Sequence, residues 1–112
     1  MTRGTVALVV LDPVQGHEQR GSRPCVIVSD PEVAADQRFP LLCAVPLTST
    51  PGTGALYPAV EAGPSGLARR SHALTDQVRS VDKRRVKRVY GQVSRSELEA
   101  IELGLRLYLG LL

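Results

Sequence analysis

"SRSELEAIELGLRLYLGLL", residues 94–112, carries the most complete local signal in the chain and predicts an amphipathic helix. Ser94 and Glu97 form an S-x-x-E capping box, in which each side chain accepts from the backbone N–H of the other. Val93 and Leu98 stand where a hydrophobic staple would clamp the entry to the helix. Leu98, Ile101, Leu105, Tyr108, Leu109 and Leu112 then recur three or four residues apart and make one apolar stripe. Glu97, Glu99 and Glu102 lie in the first half, where the helix dipole favours negative charge, and Gly110 suits a terminator.

Upstream of this helix the periodicity changes. "TVALVVL" (5–11) is a β-branched, apolar run that reads as a buried strand, ended by Asp12 and Pro13. A polar loop leads to Arg23, and "CVIVS" (25–29) reads as a second strand broken at Pro31. "EVAADQ" (32–37) fits one helical turn or a loop. "LLCAVPL" (41–47) reads as a third strand, with Pro46 marking an edge or bulge at its end. "TSTPGTGAL" (48–56) has the composition of an exposed loop, "YPAVEA" (57–62) of a short strand, and "GPSG" (63–66) of a turn. "SHALTDQVRSV" (71–81) suits a longer strand. Asp82 is then placed to cap a short helix through "KRRVKRV" (83–89), ended by Gly91. Many short strands followed by one amphipathic helix predict a small antiparallel barrel with the helix packed on it, as one domain over residues 1–112.

The chain has 112 residues, 43% of them hydrophobic and 22% charged, which suits a globular domain with one modest core. No apolar run approaches a membrane span and the N-terminus lacks a signal-peptide layout, so a cytoplasmic protein without a membrane partner is expected. Cys25 and Cys43 lie inside apolar runs and read as core thiols; with His17 and His72 they give no metal-ligand spacing. The net charge is only +3, yet residues 69–95 hold nine Lys or Arg against Asp76 and Asp82. Such a field attracts a polyanion or an acidic protein, or simply solvates one face.

Most catalytic templates fail on this sequence. No Ser or Cys has an evident base, no pair of carboxylates is set apart, and "PGTGA" opens neither a helix nor a Lys-bearing phosphate loop. Cleavage of RNA asks for less, because the substrate brings its own nucleophile, the 2′-hydroxyl. The protein need only hold the phosphate, align the hydroxyl and neutralise developing charge. Arg23 beside the rigid Pro24, and Thr48 at a strand end, are chemically sufficient for that, with Ser49 and Thr50 as rival hydroxyls. Their spacing alone does not bring them together.

A resemblance does. "GHEQRGSRPCVIVSD" (16–30) is similar to the G-x-E-Q-x-G-x-R-P stretch and following strand of the MazF/PemK toxins, ribosome-independent endoribonucleases of toxin–antitoxin pairs. The likeness continues in "VPLTST" (45–50), "SGLARRSHALTDQVRSVDKRRV" (65–86) and "GQVSRSELEAIELGLRLYLGL" (91–111), four ordered blocks spanning nearly the whole chain. It implies a small SH3-like barrel of the MazF/CcdB type with a C-terminal helix, acting as a homodimer. It also implies Arg23 and Thr48 as the catalytic residues, giving a 2′,3′-cyclic phosphate and a 5′-hydroxyl with neither metal nor other cofactor. Glu18 and Gln77 match positions that contact RNA, and Arg79 shares the segment of Gln77 near the dimer surface.

The implied partners are single-stranded RNA, a small MazE-like antitoxin with an acidic, disordered segment, and DNA only through the toxin–antitoxin complex. The loop ahead of R-P lacks an aromatic, so stacking worth about 1–3 kcal/mol per base gives way there to charge and edge hydrogen bonds. An Arg is a poor proton carrier, which assigns Arg23 to charge stabilisation and leaves the acid and base open. Two rivals stand beside this reading. A CcdB-type gyrase-binding toxin depends on a C-terminal Trp-Gly-Ile, whereas this chain ends Leu109-Gly110-Leu111-Leu112 without any Trp. A non-catalytic RNA-binding relative would keep the same residues out of register.

Overall fold

The computed structural model describes residues 1–12, 16–18 and 21–112. Pro13, expected to end the first strand, and Gln19 of the G-x-E-Q motif lie outside the described residues. The strands are β1 (Thr5–Val10), β2 (Ser22–Ile27), β3 (Leu41–Thr48), β4 (Ala59–Val60), β5 (Ser71–Ala73), β6 (Arg79–Asp82) and β7 (Val86–Gln92). Helix α1 (Pro31–Ala35) is a single short turn after β2, and α2 (Arg95–Leu109) closes the chain. The strands run in the order β4-β5-β3-β2-β1-β7 with β6 also on β3, all antiparallel, and the sheet curls into a half-barrel. No helix is long and apolar enough to cross a membrane among the described residues.

Because strand side chains alternate between faces, each central strand feeds two cores. Val6, Val26, Val45 and Leu47 pack with Ala73, Val60 and Ile101 of α2 on one face. Ala7, Val9, Cys25, Ile27, Leu42, Ala44 and Val81 pack together on the other, with Ala34 of α1 and Val86 against them. Cys25 is buried and Cys43 only partly so; both are free thiols.

Helix α2 forms as its sequence predicts. Ser94 Oγ accepts the Glu97 N–H at 3.1 Å, Glu97 Oε1 accepts the Ser94 N–H at 2.8 Å, and Gly110 ends the helix in the left-handed region. Leu98 packs against the same core as Val93, completing the staple. Two of the glutamates also have distant partners: Glu97 Oε2 accepts the Glu61 N–H at 2.7 Å, and Glu102 pairs with Arg3 at 2.9 Å. Arg3 in turn donates to the Val28 carbonyl at the end of β2.

The structure corrects three sequence expectations. The segment 83–89 is not a helix. Asp82 does cap, accepting the Arg84 N–H at 2.8 Å, but only a 3-10 turn (Lys83–Arg85) follows before β7 runs antiparallel to β1. β1 is fully buried over Thr5–Ala7 and its backbone needs a partner on its second side, which outweighs the helix preference of Lys and Arg.

The long strand over 71–81 is two strands, β5 and β6, separated by a 3-10 turn (Thr75–Gln77). β3 pairs with β6 over Leu41–Ala44 and with β5 at Leu47 and Thr48. Pro46 is therefore inside β3, at the change of partner, rather than at a free edge. Its carbonyl accepts the Leu74 N–H at 2.9 Å, so the missing N–H faces the interruption, where a continuous ladder would have required it.

Candidate active site

Strands β2 and β3 bring the two halves of the site together. Their ladder pairs Ile27 with Ala44, Val26 with Val45 and Cys25 with Pro46. Two residues beyond the last pair, on the same face of each strand, come Arg23 and Thr48. The paired stretch ends before either residue, so the ladder brings the strand ends that carry Arg23 and Thr48 to the same end of the β2–β3 pair, although the two lie twenty-five positions apart in sequence. On its other side Thr48 pairs with His72 of β5. Thr48 Oγ1 accepts the Thr50 N–H at 3.2 Å, which orients the hydroxyl and leaves its hydrogen to donate. Arg23 is exposed on β2.

Two adjoining cavities extend the site along the 3-10 turn. One, of about 170 Å³, is lined by Glu18, Pro46, Asp76, Gln77, Val78 and Arg79. The other, of about 320 Å³, is lined by Thr48, Thr50, Tyr57, Leu74, Asp76 and Gln77 among others. Glu18, Gln77 and Arg79 therefore share one cavity, and Thr48 and Gln77 share its neighbour. The turn is rigid because buried Thr75 donates its hydroxyl to the Leu56 carbonyl at 2.6 Å and its N–H to the same oxygen at 3.3 Å. Gly104 of α2 seats against it: a Cβ there would lie 2.9 Å from Thr75 Cγ2 and from the Ala55 carbonyl oxygen.

Arg79 is half-buried and donates from Nη1 to the Leu11 carbonyl at 3.0 Å, so its guanidinium closes one side of the smaller cavity. Much of the basic run serves similar bonds. Arg85 donates to the Val10 and Asp12 carbonyls, Lys83 to the Asp36 carbonyl and Lys87 to the Arg84 carbonyl, while Arg84 pairs with Asp82 at 3.0 Å. The Arg84 guanidinium holds the Asp82 carboxyl down at about 2. Arg88 lies over the Tyr90 ring, 5.2 Å from its centre. The run is a brace at the ends of β1 and β6 as well as a field of positive charge.

Three residues at the site escaped sequence reasoning. Asp76 lines both cavities, and its Oδ2 accepts the Tyr57 hydroxyl at 2.7 Å. His72 lies beside Thr48 with its Nδ1 buried and without a hydrogen-bond partner among the described residues. Adjacency to Gln77 was a signal for Asp76; nothing local marks Tyr57 or His72. Among the described residues, no three His, Cys, Asp or Glu side chains gather as metal ligands would.

The family model for the PemK-like, MazF-like toxin of type II toxin–antitoxin systems matches residues 2–109. Endoribonuclease MazF9 of Mycobacterium tuberculosis is 33% identical over 117 aligned positions, covering 99% of this chain and 98% of that protein. Two solved structures share the fold at 26% identity. A mycobacterial endoribonuclease in complex with its cognate antitoxin superposes with a TM-score of 0.80, covering 100% of this chain and 97% of the other. MazF from Deinococcus radiodurans superposes with a TM-score of 0.83, covering 98% and 96%.

Proposed function

Because the chain belongs to the PemK/MazF toxin family of endoribonucleases, we propose that it cleaves single-stranded RNA without a metal, as the toxin of a type II toxin–antitoxin pair. The observation that supports this reading is the β2–β3 ladder, which ends two residues short of Arg23 and of Thr48, together with the cavity beside Thr48, which shares Gln77 with the cavity lined by Glu18 and Arg79.

In the proposed reaction the 2′-oxygen attacks phosphorus and the bond to the 5′-oxygen breaks. The 2′-hydroxyl proton leaves, a proton is delivered to the departing 5′-oxygen, and the products are a 2′,3′-cyclic phosphate and a 5′-hydroxyl. Arg23 neutralises charge developing on the non-bridging oxygens with its fork of donors, and the Thr48 hydroxyl adds one hydrogen bond. Glu18, Gln77 and Arg79 hold the flanking nucleotides, Arg79 through phosphate. The protein works as a cytoplasmic homodimer and is restrained by a small acidic antitoxin, and it meets DNA only through that complex. The gyrase-binding alternative has no feature in its favour, since the chain contains no Trp to build the required C-terminus.

The test is incubation of the purified protein with a long single-stranded RNA in excess EDTA, followed by end-group analysis. Discrete fragments ending in 2′,3′-cyclic phosphate are expected. Arg23→Ala should slow the cut by about 10²-fold or more, the scale seen when one donor to a developing oxyanion is removed, with its melting temperature unchanged. Intact RNA across diverse substrates would overturn the reading.

A further inference from the structure

Aromatic rings are few in this chain: one Phe, three Tyr and no Trp. Phe39 lies under the Arg38 guanidinium at 5.8 Å, Tyr90 lies under that of Arg88 at 5.2 Å, and Tyr108 stands at the exposed end of α2. Tyr57 is placed differently. Its half-buried ring forms part of the wall of the 320 Å³ cavity, beside Thr48 and Thr50, and Pro51 and Leu74 add apolar surface to the same wall.

The ring is fixed at both ends. Its hydroxyl donates to Asp76 Oδ2 at 2.7 Å, and Asp76 stands in the turn pinned by Thr75 to Leu56. At the other end the Tyr57 N–H donates to the Gly54 carbonyl at 3.1 Å. Gly52 approaches so closely that a Cβ there would lie 3.0 Å from the Tyr57 Cβ. A ring held in this way loses little freedom when a flat ligand stacks on it. The bond to Asp76 also raises the Tyr57 phenol above its ordinary pKa, so the ring carries no charge that would oppose RNA.

We infer that the base of a nucleotide beside the scissile phosphate stacks on the Tyr57 ring, in the cavity next to Thr48. This rests on the endoribonuclease reading and deepens it. Thr48 and Tyr57 line one cavity, so a phosphate held at the Thr48 hydroxyl leaves the neighbouring base within reach of the ring. The Asp76 carboxylate on the same wall repels phosphate and favours the uncharged base as the part of the nucleotide that enters. Every base has a π-face, so this contact adds affinity without reading sequence, and it supplies the stacking that the loop ahead of Arg23 lacks.

The experiment uses the absence of Trp from the chain. Digestion of a randomised RNA pool by the full-length wild type maps the cut, and a 2′-O-methyl oligonucleotide of that sequence then serves as an uncleavable probe. The probe should quench the indole emission of Tyr57→Trp and leave that of Phe39→Trp unchanged. In cleavage assays, Tyr57→Leu should raise KM about ten-fold, the scale of one base–aromatic stack, while Tyr57→Phe, which keeps the ring, should stay near the wild type. An abasic residue at one position beside the cut should cost the wild type the same factor and cost Tyr57→Leu nothing further.

Unquenched emission from Tyr57→Trp, or an abasic penalty as large in Tyr57→Leu as in the wild type, would overturn the inference. So would a Tyr57→Phe variant as impaired as Tyr57→Leu, which would assign the effect to the Asp76 bond instead of the ring. If Tyr57→Leu does not fold, the emission of Tyr57→Trp and the activity of Tyr57→Phe decide. If the wild type cuts no RNA, the endoribonuclease reading fails separately. Titration of Tyr57→Trp with 2′-O-methyl homo-oligonucleotides of each base then tests the stacking, and emission unchanged by all four would overturn it as well.

Discussion

Cys25 shows how sharply environment changes within the site strand. It lies two residues from Arg23 on β2 and points to the same face, yet Arg23 is exposed and Cys25 wholly buried. Burial pushes the Cys25 thiol up to about 12, and the nearby positive charge of Arg79 only partly opposes it. The thiolate is the reactive form, so a raised pKa means an inert thiol at ordinary pH. Cys43 is raised as well, again mainly by burial, but it is only partly covered. With an aromatic disulfide reagent at pH 8, at most one thiol should titrate in the native protein, slowly, and two in denaturant. Two rapid equivalents from the native protein would contradict the packing of β2. Arg23 and Thr48 could be named from residue chemistry together with the four-block resemblance. Asp76 and Tyr57 could not be paired in that way, because nothing in the eighteen intervening residues specifies that a loop tyrosine returns to the turn.

At the scale of elements, α2 and the turn it carries are coupled through Gly104. A Gly-to-Ala change inside an exposed helix stabilises by about 1 kcal/mol through propensity. Here the added methyl would meet the Ala55 carbonyl oxygen and Thr75 Cγ2, both at 2.9 Å, and overpacking of this kind costs about 1–3 kcal/mol. The clash should win. Gly104→Ala is expected to lower the melting temperature and to weaken RNA cleavage by displacing the turn that bears Asp76 and Gln77. A rise in melting temperature with full activity would show that helix and turn are not seated on each other.

The elements also divide by how local their causes are. Helix α2 was legible because cap, staple, stripe and terminator all lie within twenty residues of one another. β7 does not announce itself in the sequence, because "KRRVKRV" has no strong period and its conformation is decided by the open side of β1. The break between β5 and β6 was likewise invisible, since it answers to Pro46 on another strand.

Over the whole molecule, the apolar residues of α2 and of the chain end after it divide in two. Ile101 is buried in the first core with Leu98 and Leu105 packed against it, but Leu107, Tyr108, Leu109, Leu111 and Leu112 are 43–73% exposed. Apolar surface gathered at one end of a helix marks a contact with another molecule more often than an ordinary surface. In the proposed homodimer this end contributes to the subunit contact. Light scattering should then give twice the 12.1 kDa chain mass, and a Leu107→Glu, Leu109→Glu double variant should dissociate while keeping its helical signal. A monomer at about 100 μM wild-type protein would count against that assignment.

What the sequence determined by itself was therefore whatever depends on neighbours along the chain. That includes the capped helix, the apolar strands β1 to β3, the loop of small residues after Thr48, the R-P and DQ motifs and the class of protein they resemble. Tertiary structure alone decided the partner of β1, the interruption opposite Pro46, the pairing of Thr48 with His72, and the buried acceptor left on Asp76. The physical reason is that backbone hydrogen bonds and buried polar groups must be satisfied over the curled sheet as a whole, and their partners lie tens of residues away.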